Sequence, residues 1–240
     1  MDASNLLIVI PARGGSKGLP GKNAKSLGDH PLLKWTSDAI LLSGLKNYQC
    51  VLSTDDSEIA EIGKSIGLNV PFIRPSELAN DTATAVSVVK HALEWCKKIH
   101  DFQAEYLMLL QPTSPFRPPH IIHDAYKMLQ ESGTDAVIGV KPIYRNLSTI
   151  FSHDDQKNMR PLDEQAEKIT RRQDVRTLYT PNGAMYAIKS NTLLTQNTLF
   201  PKNNKGLVMD KIQSHDIDDL TDWHIAESYV NSKIIWRTQQ

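Results

Sequence analysis

Cysteine is almost absent from this 240-residue sequence: only Cys50 and Cys96 occur, far apart and with no neighbouring partner. That excludes a disulfide framework and a structural zinc site, and it predicts two small buried residues. Net charge is absent as well, because 27 Lys and Arg balance 27 Asp and Glu. A neutral chain has no general attraction for nucleic acid or an anionic membrane, so any anionic ligand must meet a local cluster of cations. Long apolar runs are also missing. The longest, Leu6 to Ile10, is far short of the ~20 residues of a membrane-spanning helix, and no cationic region precedes it. These absences predict a cytoplasmic protein. Internal repeats and low-complexity tracts are lacking too.

What is present is ordinary globular composition, with 40% hydrophobic and 22% charged residues. At roughly 150 residues per domain, the length suits one extended domain over residues 1–240. Leu6 to Ile10, stopped by Pro11, has the pattern of a strand buried on both faces, as in a parallel sheet. A helix is expected from about Leu32 to Leu42, a strand over Gln49 to Ser53, and a helix capped by Asp55 or Asp56 and ended by Gly67. Val70 to Ile73 reads as a short strand, residues 84–99 as an amphipathic helix and Tyr106 to Leu110 as a strand. Pro118-Pro119 opens a helix through Leu129, and Asp135 to Val140 is a further strand. Strand character resumes at Gly183 to Ile188 and Leu207 to Met209. Ile225 to Val230 ends a short helix before a closing strand, Ile234 to Trp236. The alternation predicts an α/β fold with a doubly wound, mostly parallel sheet. The polar stretch from about residue 144 to residue 180 is too long for a plain connection and reads as an inserted arm or subdomain.

The densest chemistry lies in residues 11–23, where Gly14, Gly15, Gly18 and Gly21 alternate with Arg13, Lys17 and Lys22 directly after a buried strand. Glycines let backbone N–H groups approach phosphate oxygens, and the cations supply charge that the neutral chain otherwise lacks. Such a loop suits a polyphosphate; the plainer reading is a flexible basic surface loop. It is not a Walker A motif, because Ser16 stands at the first glycine and Asn23 at the Ser/Thr position, and no G-x-G-x-x-G occurs.

Asp216-Ile217-Asp218 puts two carboxylates on one side of an extended segment, where they could hold magnesium beside phosphate; alone, the pair could equally be a solvated turn. Gln111 follows a strand and enters a rigid Pro-Thr-Ser-Pro turn, where it could bond a polyhydroxylated ligand or neighbouring backbone. Arg74 could reach a base carbonyl or pair with Glu77 or Asp81. Arg171-Arg172-Gln173 could clamp a carboxylate or form a solvated charge run. Ser214-His215-Asp216 cannot be a hydrolase relay, since adjacent residues of an extended chain face alternate directions. His120 and His123, at i and i+3, read as an exposed helix face.

Taken together, five segments resemble the CMP-sialic acid synthetases, or N-acylneuraminate cytidylyltransferases, across nearly the whole chain: Ala12 to Asn23, Arg74 to Thr82, Leu109 to Arg117, Pro181 to Tyr186 and Asp216 to Asp218. The resemblance implies a nucleotide-diphospho-sugar transferase-like fold, with the arm at 144–180 as a dimerisation element and a homodimer as the assembly. It implies attack of the anomeric hydroxyl of a nine-carbon 2-keto sugar acid on the α-phosphate of CTP, with release of pyrophosphate. Arg13, Lys17 and Lys22 would then bind the triphosphate alongside Ala12 and Gly14, Asn23 would contact the nucleotide, and Arg74 with the backbone at Ala83 would read cytosine. Gln111, Asn182 and Arg172 would meet the sugar, and Asp216 and Asp218 would hold Mg²⁺. The residues expected to carry the chemistry are Arg13, Lys22, Asp216 and Asp218.

Two departures bear on the sugar. Ser148 falls where the family has a lysine, and Thr180 where some sialic acid enzymes have arginine; both favour a legionaminate-type sugar over N-acetylneuraminate. Two alternatives remain open: a nucleotidyltransferase for another sugar, such as pseudaminate or 3-deoxy-octulosonate, and a non-catalytic nucleotide-binding module.

Overall fold

In the computed structural model, residues 5–16, 18–145, 149–162 and 177–236 are described. Lys17, Ser148, Arg171, Arg172 and Gln173 lie outside the described residues. The chain runs β1 (Leu6–Pro11), β2 (Ser26–Leu27), β3 (His30–Pro31), α1 (Leu32–Leu41), β4 (Gln49–Ser53), α2 (Ser57–Ser65), α3 (Ala85–His100), β5 (Tyr106–Leu110) and α4 (Pro119–Leu129). It continues through β6 (Ala136–Ile143), β7 (Phe151–His153), β8 (Met159–Pro161), β9 (Leu178–Lys189), α5 (Ser190–Gln196), β10 (Asn204–Val208) and α6 (Leu220–Asn231).

The main sheet has the order β10-β6-β9-β5-β1-β4. Strand β1 pairs in parallel with β4 and β5, and β10 in parallel with β6, whereas β9 runs antiparallel to both of its neighbours. The mostly parallel α/β expectation therefore holds, with one reversed strand in the interior. Residues of β1 alternate between two cores. Leu6, Ile8 and Ile10 pack with Leu33 and Ala39 of α1 and with Ile122, Ala125 and Leu129 of α4. Leu7 and Val9 pack with Val89, Ala92 and Cys96 of α3 and with Leu193 of α5. Burial on both faces is why the strand carries no polar residue.

Local signals explain the helix ends. The Asp56 side chain accepts hydrogen bonds from the N–H groups of Glu58 and Ile59 at the start of α2, satisfying donors that have no partner within the helix. Asp219 and Asp222 form a reciprocal capping box at the start of α6.

Three expectations are corrected. Val70 to Ile73 forms no strand, only an isolated parallel bridge between Thr54 and Ile73, because Pro71 has no N–H to give a ladder. The closing segment Ile234 to Trp236 is not a strand either; Ile235 buries itself in a third cluster with Leu19, Leu27, Trp35, Phe116 and Trp223. Cys96 is buried as expected, while Cys50 is only partly so; both are free thiols.

The region read as an arm lies between the adjacent antiparallel strands β6 and β9, whose pairing extends to Ile143 and Leu178. Its described part includes a small antiparallel ribbon, β7 with β8.

Candidate active site

The carboxyl ends of β1 and β5 open into a cleft of about 650 Å³. Ligands of open α/β sheets bind at this edge, where the loops diverge. Eight of the residues singled out from the sequence line it: Arg13, Lys22, Asn23, Arg74, Ala83, Gln111, Asp216 and Asp218. Residues scattered over some two hundred positions are thus brought to one wall by the strand order.

Each is held by a definite contact. Asn23 is buried, its Nδ2 donates to the Arg13 carbonyl at 3.0 Å, and its Oδ1 has no partner among the described residues. A buried acceptor left open costs roughly 1–3 kcal/mol, so an incoming hydroxyl or amine would relieve it. Arg74 is buried too. Its Nη2 donates to Asp55 at 3.3 Å and its Nε has no partner among the described residues. Burial lowers the Arg74 pKa, and Asp55 opposes that shift. The sequence pairing of Arg74 with Glu77 or Asp81 is corrected: Asp55 is its partner, and Asp81 instead meets Arg13 at 3.2 Å. Ala83 contributes at the cleft wall, its N–H donating to the Asn80 carbonyl.

Two of the expected loop residues support the cleft rather than line it. Ala12 is fully buried, with its N–H on the Ser53 carbonyl at 3.0 Å. The Gly14 N–H donates to Asp55 Oδ1 at 3.2 Å, and a Cβ there would lie 2.4 Å from Asp56 Oδ2.

The two aspartates flank Ile217, which is fully buried in the third cluster and donates its N–H to the Thr113 carbonyl at 2.9 Å. That anchor fixes both carboxylates at the end of the turn following β5. Lys22 Nζ donates to the Ile217 carbonyl at 2.6 Å and lies 3.6 Å from Asp218 Oδ1. Ser114 Oγ donates to Asp216 Oδ1 at 3.3 Å. Burial raises the Asp216 pKa and the Asp218 charge adds to the rise, while hydrogen bonds from Thr113 and Ser114 and the Lys22 charge oppose it. A carboxylate penalised by burial and by a like charge gains from a cation placed between the pair. Among the described residues no group of three or more His, Cys, Asp or Glu could hold a metal ion, so the pair would share its cation with ligand oxygens and water.

Asp216 and Asp218 also line a second cavity of about 790 Å³, on the side of β6 and β9. Asn182 lies there, buried, with Nδ2 on Ser214 Oγ at 2.9 Å and Oδ1 accepting from the Ala184 N–H. Gly183, at φ +78°, brings backbone close to both Gln111 and Asp216; a Cβ there would sit 3.1 Å from Gln111 Oε1 and 3.3 Å from Asp216 Oδ2. Ser214, His215 and Asp216 form no relay, since His215 Nε2 meets the Asp222 carbonyl at 2.8 Å.

Some contributors were missed in the sequence. The sequence marks Asp55 only as a helix cap and Arg117 only as the end of the Leu109 to Arg117 segment, with no role of its own. Arg117 is fully buried, donates to the Ala184 carbonyl, to Thr36 Oγ1 at 3.1 Å and to the Gln111 carbonyl at 3.5 Å, and so ties the two walls together. Burial pulls its pKa down to about 9. Its position six residues after Gln111 carries no periodic signal that could have marked it.

The chain is 34% identical over 92% of its length to a CMP-N,N'-diacetyllegionaminic acid synthase of Legionella pneumophila, covering 94% of that protein. It is also 34% identical over 93% of its length to an N-acylneuraminate cytidylyltransferase of Escherichia coli, of which it spans about half, 51%. In structure it resembles a CMP:2-keto-3-deoxy-manno-octonic acid synthetase complexed with CTP, at a TM-score of 0.68 and 16% identity, covering 96% of this chain and 100% of that one. Matched over residues 7–223 by the sequence model of the cytidylyltransferases, and carrying the cleft just described, the chain belongs to the cytidylyltransferase family and is a nucleotide-transferring enzyme.

Proposed function

We propose that the enzyme activates a nonulosonic acid: CTP and the sugar acid give the CMP-sugar and pyrophosphate. The observation that carries this reading is the pair of cavities sharing one wall, Asp216 and Asp218, so that two substrates can meet across those carboxylates. CTP belongs in the first cavity, with the base toward Arg74 and Ala83 and the triphosphate along Arg13, Lys17 and Lys22. The unpartnered Arg74 Nε and Asn23 Oδ1 are the donor and acceptor that such a nucleotide would satisfy. The sugar acid belongs in the second, beside Asn182, with Gln111 reaching it from the first cavity past Gly183 and Arg172 of the arm as a further carboxylate contact.

In this arrangement the anomeric hydroxyl oxygen bonds to the α-phosphorus and gives up its proton to water as the bond from that phosphorus to the bridging oxygen of the departing pyrophosphate breaks. Arg13 and Lys22 neutralise charge on the departing pyrophosphate. Arg13 must first exchange Asp81 for phosphate, which a more highly charged anion favours. Asp216 and Asp218 would hold Mg²⁺, which when bound would supply charge to polarise the α-phosphate. The sugar is N-acetylneuraminate or, favoured by the departures at Ser148 and Thr180, di-N-acetyl-legionaminate. The Legionella relative's name supports the second.

The enzyme works as a cytoplasmic homodimer in this reading, with the region 144–180 on the partner subunit. Its described part exposes Tyr144, Phe151, Met159, Leu162 and Tyr179, an apolar surface suited to burial between two copies. No described helix is long and apolar enough to cross a membrane. Sedimentation as a monomer at micromolar concentration would overturn the dimer.

The deciding experiment supplies CTP and Mg²⁺ with N-acetylneuraminate, di-N-acetyl-legionaminate, pseudaminate and 3-deoxy-octulosonate in separate reactions and follows pyrophosphate. Release with a nine-carbon acid is expected. Release with 3-deoxy-octulosonate alone, or binding of CTP with no release from any acid, would refute the assignment.

A further inference from the structure

The second cavity holds charges that the nucleotide does not use. Its lining includes the carboxylates of Asp210, Asp216, Asp218 and Asp222. Two of these are already occupied by backbone donors. Asp210 Oδ1 accepts from the Ile212 and Gln213 N–H groups, each at 2.8 Å, and Asp222 Oδ2 accepts from those of Asp218 and Asp219 at 3.0 and 3.3 Å. The other two form the wall shared with the nucleotide cleft. Against them the lining sets two ammonium groups, Lys141 and Lys211, and among the described residues neither has an ion-pair or hydrogen-bond partner.

The sheet brings these lysines together. Strand β10 lies parallel beside β6 with Val208 opposite Val140, and one residue further the Met209 N–H donates to the Val140 carbonyl at 2.8 Å. Lys141 follows Val140 directly within β6, and Lys211 stands two residues past Met209, just beyond the end of β10, so both lie where β10 stops beside β6 and line the same cavity. A sugar acid entering this cavity carries one negative charge. The charges of Asp216 and Asp218 would be taken up by their cation, and the lysines are the Lys or Arg side chains among the described lining residues that can receive the carboxylate.

We propose that Lys141 and Lys211 receive the carboxylate of the sugar acid and select an acid over a neutral sugar. The proposal rests on the reading of this cavity as the sugar site. A carboxylate held at that edge presents the adjoining anomeric carbon toward the shared aspartate wall. The lysines bind and orient; they take no part in bond making.

The test compares wild type with Lys141→Ala, Lys211→Ala, the double variant and the conservative Lys141→Arg and Lys211→Arg. Pyrophosphate release is measured with the nonulosonic acid that wild type turns over fastest and with its C1 methyl ester. Each alanine variant is expected to raise the KM for the acid about tenfold or more, the loss of one charge-assisted hydrogen bond, and the double variant further. The kcat and the KM for CTP stay within about twofold of wild type, and arginine restores most of the affinity. With the ester, wild type is already weak and the alanine variants are no weaker. An unchanged KM for the acid, or an equal loss on acid and ester, would overturn the assignment while leaving the enzyme's function intact. No release by wild type from any sugar acid would overturn the sugar-site reading and the lysine proposal with it.

Discussion

Gly18 and Gly15 stand three positions apart in the same loop, and the structure assigns them opposite tolerances. A Cβ on Gly18 would lie 2.3 Å from the Asp218 carbonyl oxygen and 3.2 Å from its carbon, both backbone atoms that cannot rotate away. Ordinary contact for a Cβ begins near 3.4 Å, so Gly18→Ala must separate the loop from the Asp218 segment by about 1 Å. That segment also carries the Ile217 carbonyl that binds Lys22 at 2.6 Å, so the displacement reaches the shared aspartates and a loop cation together. A misplacement of about 1 Å in reacting groups is enough to cost on the order of 10²-fold in rate. Gly15→Ala meets nothing within 4 Å and does not line the cleft. The assay is pyrophosphate release under saturating Mg²⁺, with circular dichroism to confirm folding. Gly18→Ala is expected to lose about a hundredfold in kcat/KM, and Gly15→Ala less than about threefold. Equal activity of Gly18→Ala and wild type, or an equal loss in both variants, would refute the view that Gly18 exists for close packing against Asp218.

Asp216→Asn is expected to abolish pyrophosphate release while raising Tm at pH 7 in EDTA. The raised pKa means that the folded state binds the Asp216 proton more tightly than the unfolded chain does, so stability falls as pH rises through the native pKa; a neutral amide escapes that loss. Thermal scans should show the difference between variant and wild type shrinking as the buffer is made acidic, and a lower Tm at pH 7 would contradict the sign. Arg74→Lys removes the planar fork and its unpartnered Nε, and should raise the KM for CTP about tenfold with the KM for the sugar acid unchanged. An unaltered KM for CTP would remove Arg74 from base recognition.

Much of the architecture is written in local pattern. The all-apolar Leu6 to Ile10 announces a doubly buried strand, Asp56 and Gly67 bracket α2, and Pro118-Pro119 opens α4, because burial period, capping and backbone restriction act over a few residues. The Gly-rich cationic loop and the paired aspartates stand out in the sequence for the same reason, since residue types at close spacing are visible there, and the structure brings both to one cleft. Reading Val70 to Ile73 as a strand failed because Pro71 cannot enter a ladder, and reading Ile234 to Trp236 as one failed because Ile235 packs into a third core while Trp236 packs against the first and Ile234 stays exposed.

What the tertiary structure alone decided is how distant segments meet. The upper half of β9, Leu178 to Asn182, alternates exposed and covered residues and carries Pro181, so its local pattern is weak; pairing with β6 makes it a strand and sets it antiparallel. The purpose of Gly14 and Gly18 is likewise invisible in the loop, since both are explained by Asp56 and Asp218 pressing on them from elsewhere in the chain. Arg74 finds Asp55 and Arg13 finds Asp81 only once the strands are ordered. Residue types and their short-range spacing therefore determined which chemistry this chain can hold. The sheet order determined that two cavities share a single pair of carboxylates, because contacts between residues so far apart depend on packing that no local pattern encodes.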